Sequence, residues 1–190
     1  RIACQKGWQV LSFDLPGHGE RKQEVDRFFP WYIISELESI WEYAARNWNT
    51  IALRATSIGA WFSMLSLAGK PLEKALFVSP VLDMEQLIAD MMQWSSVTVE
   101  QLKQEKEIPT SFGETLSWKY YTYAREHPIQ KWDCPTKILY PGRDNLTGRD
   151  VVDNFCRRFS CKLTVMEDGE HWFHTEDQRD FLEKWENGNT

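Results

Sequence analysis

Three polar residues, each placed directly after a short apolar stretch, could act together as an activated nucleophile. Ser57 lies in "ATSIGA", Asp144 in "PGRDNLT" and His171 in "GEHWF". A serine hydroxyl attacks carbonyl groups when an imidazole accepts its proton and a carboxylate holds the imidazole in the right tautomer. Each residue also has an ordinary structural interpretation: a helix N-cap for the serine, an Asx-turn or cap for the aspartate, and a purely structural role for a lone histidine.

Small residues flank the serine. Ala55 precedes Ser57 by two positions and Gly59 follows it by two, so the pattern is A-x-S-x-G rather than G-x-S-x-G. We expect small side chains here because a sharp strand-to-helix turn leaves little room beside a strained serine. The pattern predicts a nucleophile elbow, in which the turn between a buried strand and a helix presents the hydroxyl.

Other acidic and imidazole side chains compete for the same roles. His174 follows His171 by three residues and could occupy the same face of a forming helix. Asp150 and Asp153 fall inside the helix that follows Asp144, where we expect them to be solvated. We favour His171 and Asp144 because both lie in loops after strand ends, as the serine does, and catalytic groups of parallel sheets gather at those ends.

The elements that must position these residues alternate between strand and helix. Short apolar strands that alternate with helices predict an α/β fold, a mostly parallel sheet with helices on both faces. The predicted strands are "WQVLSFD", "TIALRAT", "KALFVS", "TKILYPG" and "CKLTVME". The predicted helices are the end of one in "RIACQKG", then "WYIISELESIWEYAARNW", "IGAWFSMLSLAG", residues 149–159 and residues 176–185.

The alternation is interrupted once. Residues 83–131 are interpreted as helices only, and we predict that they form a cap inserted into a single domain of residues 1–190. Met91, Trp94 and Trp118 in this cap are candidates for substrate binding. Apolar stripes of this kind more often pack into a core, so that alternative stays open.

Composition narrows the choice of partners. A net charge of −6 gives no electrostatic footprint for nucleic acid or for an anionic membrane surface. No apolar run approaches the roughly 18 residues of a membrane helix, and a cytoplasmic protein is predicted. The four cysteines lack metal-ligand spacing and are expected to be buried free thiols. No metal or organic cofactor is predicted, and the oligomeric state has no signature in the sequence.

The order Ser, Asp, His along the chain resembles that of the α/β-hydrolase superfamily, and more closely its capped serine hydrolases, the monoacylglycerol-lipase-like and serine-aminopeptidase-like enzymes. The motifs that carry the resemblance are "FDLPGHGE", "ATSIGA", "PGRDNLT" and "GEHWF". The resemblance implies an α/β-hydrolase fold with Ser57 as nucleophile, His171 as base and Asp144 as its orienting acid. It also implies that the backbone N–H of Ile58 is one donor of an oxyanion hole.

The same resemblance implies that part of the sheet lies outside these residues. In that fold a further strand lies between "WQVLSFD" and "IALRAT", and the loop after it gives the second oxyanion donor. We therefore expect the chain to be N-terminally incomplete. Arg54 stands in the elbow strand where the family has an aliphatic residue, and a buried guanidinium needs a carboxylate partner, for which Asp14 or Asp83 is predicted.

The function predicted from these residues is cleavage of a carboxylic ester of a small-molecule acyl substrate. A thioesterase or peptidase could use the same three residues, and a peptidase acting at free amino termini would need acidic cap residues such as Glu85 or Asp90 in its pocket. A catalytically silent member of the fold that serves as a binding module is the alternative from a different class.

Overall fold

The computed structural model describes residues 1–190 and contains a central sheet of four parallel strands. The chain has six strands in all: β1 (Ala52–Thr56), β2 (Lys74–Val78), β3 (Glu107–Pro109), β4 (Thr115–Ser117), β5 (Thr136–Pro141) and β6 (Lys162–Met166). The central sheet has the order β1-β2-β5-β6, and β3 pairs with β4 in a separate two-stranded sheet. The parallel sheet predicted from the alternating pattern is therefore confirmed.

The helices lie where the apolar periodicity predicts them. They are α1 (Ile2–Gln5), α2 (Pro30–Asn47), α3 (Ile58–Leu67), α4 (Met84–Trp94), α5 (Val99–Glu105), α6 (Trp118–Glu126), α7 (Arg149–Phe159) and α8 (Glu176–Asn189). Short 3-10 turns occupy Gly19–Arg21 and Val25–Arg27. Helix α2 buries Ile33, Leu37 and Trp41, which recur at the three- and four-residue spacing of one helix face.

Helices cover both faces of the sheet, as predicted. On one face, Ala75, Phe77 and Ile138 belong to a main core of 29 buried residues that is completed by α2, α3, α7 and the segment between β2 and β5. On the other face, a smaller cluster is covered by α8; its five buried residues are Leu76, Val78, Leu139, Phe173 and Trp185. Successive strand residues point to opposite faces, and this alternation divides the two cores.

The predicted strand "WQVLSFD" is wrong. Residues 8–14 are in no sheet, and β1 pairs with β2 alone, so the two segments do not pair with each other. Val10, Leu11 and Phe13 are 58%, 47% and 45% exposed, without the alternation that a half-buried strand would show. The β-branched and aromatic composition favours a strand only where a neighbouring strand accepts its hydrogen bonds, and none stands beside this segment.

The segment between β2 and β5 is not helical throughout, which corrects a second expectation. Residues 83–131 contain α4, α5 and α6, but β3 and β4 form an antiparallel hairpin between α5 and α6. Gly113 adopts a φ of 94° in the connecting turn, a conformation that glycine reaches without steric cost. Leu116 of β4 is 2% exposed, so burial against the helices holds the hairpin in place.

Arg54 is neither buried nor paired as expected. Its side chain is 47% exposed, and its Nη2 lies 2.9 Å from Oε1 of Glu186 in α8. Asp14 instead accepts a hydrogen bond from the backbone N–H of Glu20, and Asp83 caps α4. A guanidinium on this exposed edge strand is within reach of water, so it needs no buried counter-ion.

The cysteines are all free, but only Cys134 is buried. Cys4 is exposed, and Cys156 and Cys161 are partly exposed. The expectation of buried thiols therefore holds at one position of four.

Candidate active site

Ser57 occupies a sharp turn between β1 and α3. Its φ of 52° and ψ of −130° are strained for a residue with a side chain. Its N–H donates to the carbonyl of Val78 at 3.0 Å, and its carbonyl accepts from the N–H groups of Ala60 and Val81. Its hydroxyl makes no capping bond to α3, so the N-cap interpretation does not account for the side chain.

The serine hydroxyl is instead within hydrogen-bond distance of an imidazole from the other end of the chain. Ser57 Oγ lies 2.9 Å from Nε2 of His171. The Nδ1 atom of His171 lies 3.0 Å and 2.9 Å from Oδ1 and Oδ2 of Asp144. The side chains of His171 and Asp144 are 1% and 0% exposed. The structure thus brings the three residues singled out in the sequence into one continuous path of hydrogen-bond contacts.

Asp144 also makes the loop contacts of an Asx-turn. Its Oδ1 accepts hydrogen bonds from the backbone N–H groups of Leu146 at 2.8 Å and Thr147 at 3.2 Å. The same carboxylate therefore makes both sets of contacts, because the turn fixes it while both of its oxygens lie within hydrogen-bond distance of the imidazole.

The competing residues lie elsewhere. The His174 side chain is 58% exposed, with Nδ1 3.3 Å from Oε2 of Glu170. Asp153 pairs with Arg149 one turn away in α7, at 2.9 Å, and Asp150 is exposed.

Ser79, which was not predicted from the sequence, holds the backbone of His171. It is fully buried directly after β2, has a φ of 46°, and its Oγ donates to the carbonyl of His171 at 2.7 Å. Its position in the sequence could have indicated it, since Ser79 directly follows a strand, and Ser57, Asp144 and His171 also lie after strand ends. A bond from a hydroxyl to a backbone carbonyl leaves no pattern in the sequence, however.

Two further hydrogen bonds hold the loop that carries Asp144, one to the segment after β2 and one to β5, the strand that precedes the loop. Thr147 Oγ1 donates to the carbonyl of Pro80 at 3.0 Å, and Tyr140 Oη donates to the carbonyl of Thr147 at 2.9 Å. Burial, with a smaller contribution from the charge of Asp144, raises the pKa of Tyr140 to about 12. The phenol therefore stays protonated and keeps donating at neutral pH.

The small residues around the serine are only partly explained by crowding. Ala55 is 8% exposed and lies in the main core. At Gly59, an added Cβ would meet no atom within 4 Å, and its φ is not in the left-handed region. Within residues 1–190, lack of space therefore does not explain the small residue two positions after the serine.

The three residues predicted to bind substrate have different surroundings. Met91 and Trp118 are partly buried and pack against the main core, as the alternative interpretation expects. Trp94 is 51% exposed and meets Phe112 edge to face, with ring centroids 6.0 Å apart. Another aromatic ring, that of Trp172, was not predicted; it is 73% exposed and its centroid lies 4.9 Å from that of His171.

A cavity of about 340 Å³ lies between α7 and the segment between β2 and β5, but none of Ser57, Asp144 and His171 lines it. The acidic residues named for a peptidase, Glu85 and Asp90, contact other side chains. Glu85 lines this cavity and lies 3.9 Å from Arg125, and Asp90 accepts a hydrogen bond from a glutamine one turn earlier in α4.

The site can polarise a hydroxyl and receive negative charge beside it. Ile58 is the first residue of α3, so its N–H has no acceptor within the helix and is free for an anion.

No group of three or more His, Cys, Asp or Glu side chains is arranged to hold a metal ion. None of the helices combines the length and the apolar character needed to cross a membrane.

Similar folds occur among solved structures, whereas no protein-family model and no curated protein sequence matches this chain. Est1E from Butyrivibrio proteoclasticus with ferulic acid bound superposes with a TM-score of 0.70 at 15% identity, over 92% of this chain and 73% of Est1E. The Pyrococcus furiosus esterase Pf2001 gives 0.64 at 19% identity, over 98% and 70% of the two chains. MGS-MChE2, an α/β-hydrolase enzyme from the metagenome of lagoon sediments, gives 0.51 at 16% identity, over 80% and 68%. The chain has the α/β-hydrolase fold.

Proposed function

We propose that this protein is a serine hydrolase that cleaves a carboxylic ester through an acyl-enzyme on Ser57. The observation that carries the proposal is the unbroken path from Ser57 Oγ through His171 to Asp144, at 2.9 Å and 2.9–3.0 Å. A helix cap does not account for the Ser57 hydroxyl. A turn aspartate and a purely structural histidine do not explain why the three side chains meet.

The proposed reaction begins with proton transfer from the serine. His171 Nε2 takes the hydroxyl proton as Ser57 Oγ attacks the ester carbonyl, and Asp144 stabilises the imidazolium that forms. The same proton passes to the departing alcohol when the tetrahedral intermediate collapses to the acyl-enzyme. A water molecule, deprotonated by His171, then releases the carboxylic acid and restores the serine.

The developing oxyanion needs backbone donors at the amino end of α3. The N–H of Ile58 is the donor that we propose from these residues, since it follows the nucleophile and begins a helix. Such donors act where charge develops in the transition state, and removing one typically costs about 10²–10³ in kcat.

We propose a small or medium acyl group as substrate, held under the cap formed by residues 83–131. Met91, Trp94 and Trp118 remain the proposed contacts, and Trp172 is added because it stands exposed beside the imidazole. An ester is preferred because the similar structure of Pf2001 is that of an esterase by name, and Est1E is seen with ferulic acid bound.

Thioester and amide cleavage would use the same three residues. Of the thioesterase and peptidase alternatives, the peptidase has the weaker support. Its acidic anchors would be Glu85 and Asp90, which are engaged by Arg125 and Gln86. The cytoplasm remains the proposed compartment; four unpaired cysteines suit a reducing environment.

Labelling by a fluorophosphonate probe, together with hydrolysis of a short-chain aryl ester, tests the proposal. We expect covalent labelling of the intact protein, and we expect Ser57→Ala to abolish it. His171→Ala should lower ester turnover by about 10³-fold or more, because the three residues act as a unit.

Two matched variants serve as controls for nonspecific effects of a substitution on the fold. His174→Ala removes an exposed imidazole three residues away, and Ser96→Ala removes another serine with positive φ, 56°. Both should label and turn over as the unmodified chain does. Absence of labelling and turnover in the folded protein would instead support the catalytically silent binding module.

A further inference from the structure

Helix α7 ends in a backbone motif that brings two cysteines together. The helix stops at Phe159, Ser160 adopts a left-handed φ of 54° and ψ of 38°, and the N–H of Cys161 donates to the carbonyl of Cys156 at 3.0 Å. A hydrogen bond from the second residue beyond the helix to the third residue before its cap defines a Schellman motif. The side chains at these two positions commonly touch each other, and here both are thiols.

Both thiols are partly accessible from solvent, and each affects the pKa of the other. Cys156 and Cys161 are both free and partly exposed. The Cys161 thiol lies 3.8 Å from the carbonyl oxygen of Phe159. The proximity of the two thiols lowers the pKa of Cys156 and raises that of Cys161. A thiol that loses its proton more easily is the better attacking group at neutral pH, so Cys156 reacts first.

The other two cysteines offer a comparison within the same chain. Burial raises the pKa of Cys134 to about 11, which makes this thiol inert. Cys4 is exposed in α1 and has no second thiol beside it in the structure. Only the pair at the end of α7 combines access with a neighbouring sulfur.

We propose that Cys156 and Cys161 form a redox-active dithiol that is oxidised by low-molecular-weight disulfides of the glutathione type. The Cys156 thiolate attacks one sulfur of the small disulfide, forms a mixed disulfide and releases one small thiol. The Cys161 thiolate then attacks the Cys156 sulfur and releases the second small thiol. Two electrons and two protons pass from the protein pair to the small disulfide, which leaves as two thiols.

The location of the pair predicts what the bond does. It would join the last turn of α7 to the residue before β6, which begins at Lys162. Strand β6 runs from there to Met166 and on to the His171 loop, so the pair lies at the opposite end of the strand from the catalytic path. We therefore expect the disulfide to stabilise the fold and to leave the reactivity of Ser57 unchanged.

Mass spectrometry of the folded chain, incubated in mixtures of reduced and oxidised glutathione, tests this proposal. We expect the protein to lose the mass of two hydrogen atoms, and peptide mapping should place the bond between Cys156 and Cys161. The melting temperature of the oxidised protein should rise by about 3–6 °C, because the closed loop restricts the unfolded chain. Thiols added afterwards should reverse both changes.

Serine variants distinguish the steps. Cys161→Ser should retain one glutathione on Cys156, since no thiol is left to displace it, and Cys156→Ser should form no bond to Cys161. Cys134→Ser is the matched control and should behave as the unmodified chain. Phenylarsine oxide, which bridges neighbouring thiols, should bind the unmodified chain and Cys134→Ser but not Cys156→Ser, a readout that does not depend on oxidation.

Three results would overturn the proposal. They are a folded protein that keeps all four thiols in fully oxidised glutathione, a stable mixed disulfide on Cys156 of the unmodified chain, and a protein disulfide that maps to Cys4 or Cys134. Because the expected products are independent of ester turnover, a failure here leaves the proposed hydrolase untouched, and a missing hydrolase activity leaves the dithiol untouched.

Discussion

At the scale of single residues, two strained serines at neighbouring strand ends organise the site. Ser57 and Ser79 have φ values of 52° and 46°, in a region that costs residues with side chains about 1–3 kcal/mol. Their N–H groups donate to Val78 and Leu139 of the adjacent strands, so each continues the sheet before turning away. One hydroxyl then faces the imidazole of His171, and the other holds its carbonyl.

This arrangement predicts that Ser79 is a positioning residue. Ser79→Ala leaves the buried carbonyl of His171 without its donor, which should cost about 1–3 kcal/mol of stability. The imidazole loop is then less well placed, so we expect kcat for ester cleavage to fall about tenfold, with little change in KM. Steady-state kinetics at a temperature where the variant is folded provide the measurement.

The matched control is Ser66→Ala. Ser66 is also buried, and its hydroxyl donates to the carbonyl of Phe62 in α3, at 2.7 Å. It should lose stability without a comparable fall in kcat. An equal fall in both variants would show that Ser79 acts on the fold alone.

At the scale of elements, the carboxyl ends of β5 and β6 approach so closely that one position admits no side chain. The N–H of Gly142 donates to the carbonyl of Met166 at 2.8 Å. A Cβ on Gly142 would overlap the backbone of Glu167, with its carbonyl carbon and Cα each only 2.8 Å away. These two strand ends lead to Asp144 and His171, so their approach sets the distance between acid and base.

We therefore expect Gly142→Ala to separate the two strand ends. Its free energy of unfolding should fall by about 1–3 kcal/mol, because backbone rather than a flexible side chain must move. Thermal or denaturant unfolding measures the change. Gly188→Ala is the control: an added Cβ there meets nothing within 4 Å, and alanine within α8 should be neutral or stabilising by up to about 1 kcal/mol. Similar losses in both variants would contradict the steric explanation.

At the scale of the whole molecule, the smaller core under α8 connects the end of the chain to the site. Trp185 of α8 packs in the same cluster as Phe173, two residues after His171, and its Nε1 donates to Thr164 of β6 at 3.1 Å. The larger core contains Trp132, whose Nε1 donates to Thr136 at the start of β5, at 2.7 Å. The two tryptophans are similarly buried, but only Trp185 packs in the cluster that holds the His171 loop.

The comparison of Trp185→Ala with Trp132→Ala tests this connection. Both variants should lose about 3–5 kcal/mol of stability through the cavities they create. Only Trp185→Ala should also slow fluorophosphonate labelling of Ser57, by several-fold, when labelling is measured well below both melting temperatures. Equal labelling rates would show that α8 supports the fold without positioning the imidazole.

The sequence by itself determined the elements whose signals are local. Alternating apolar strands and amphipathic helices predicted β1, β2, β5 and β6 and the helices around them, because periodicity decides which face of a segment is buried. The strand ends then identified Ser57, Asp144 and His171 as neighbours in space, since the carboxyl ends of parallel strands meet at one edge of a sheet.

The tertiary structure decided what depends on a distant neighbour. Residues 8–14 have the composition of a strand, but a strand exists only where another pairs with it. The hairpin of β3 and β4, the pairing of Arg54 with Glu186 and the bond from Ser79 to His171 also join residues that composition does not connect. Propensity acts within a few residues, whereas these contacts form only after the chain has folded, so no local pattern specifies them.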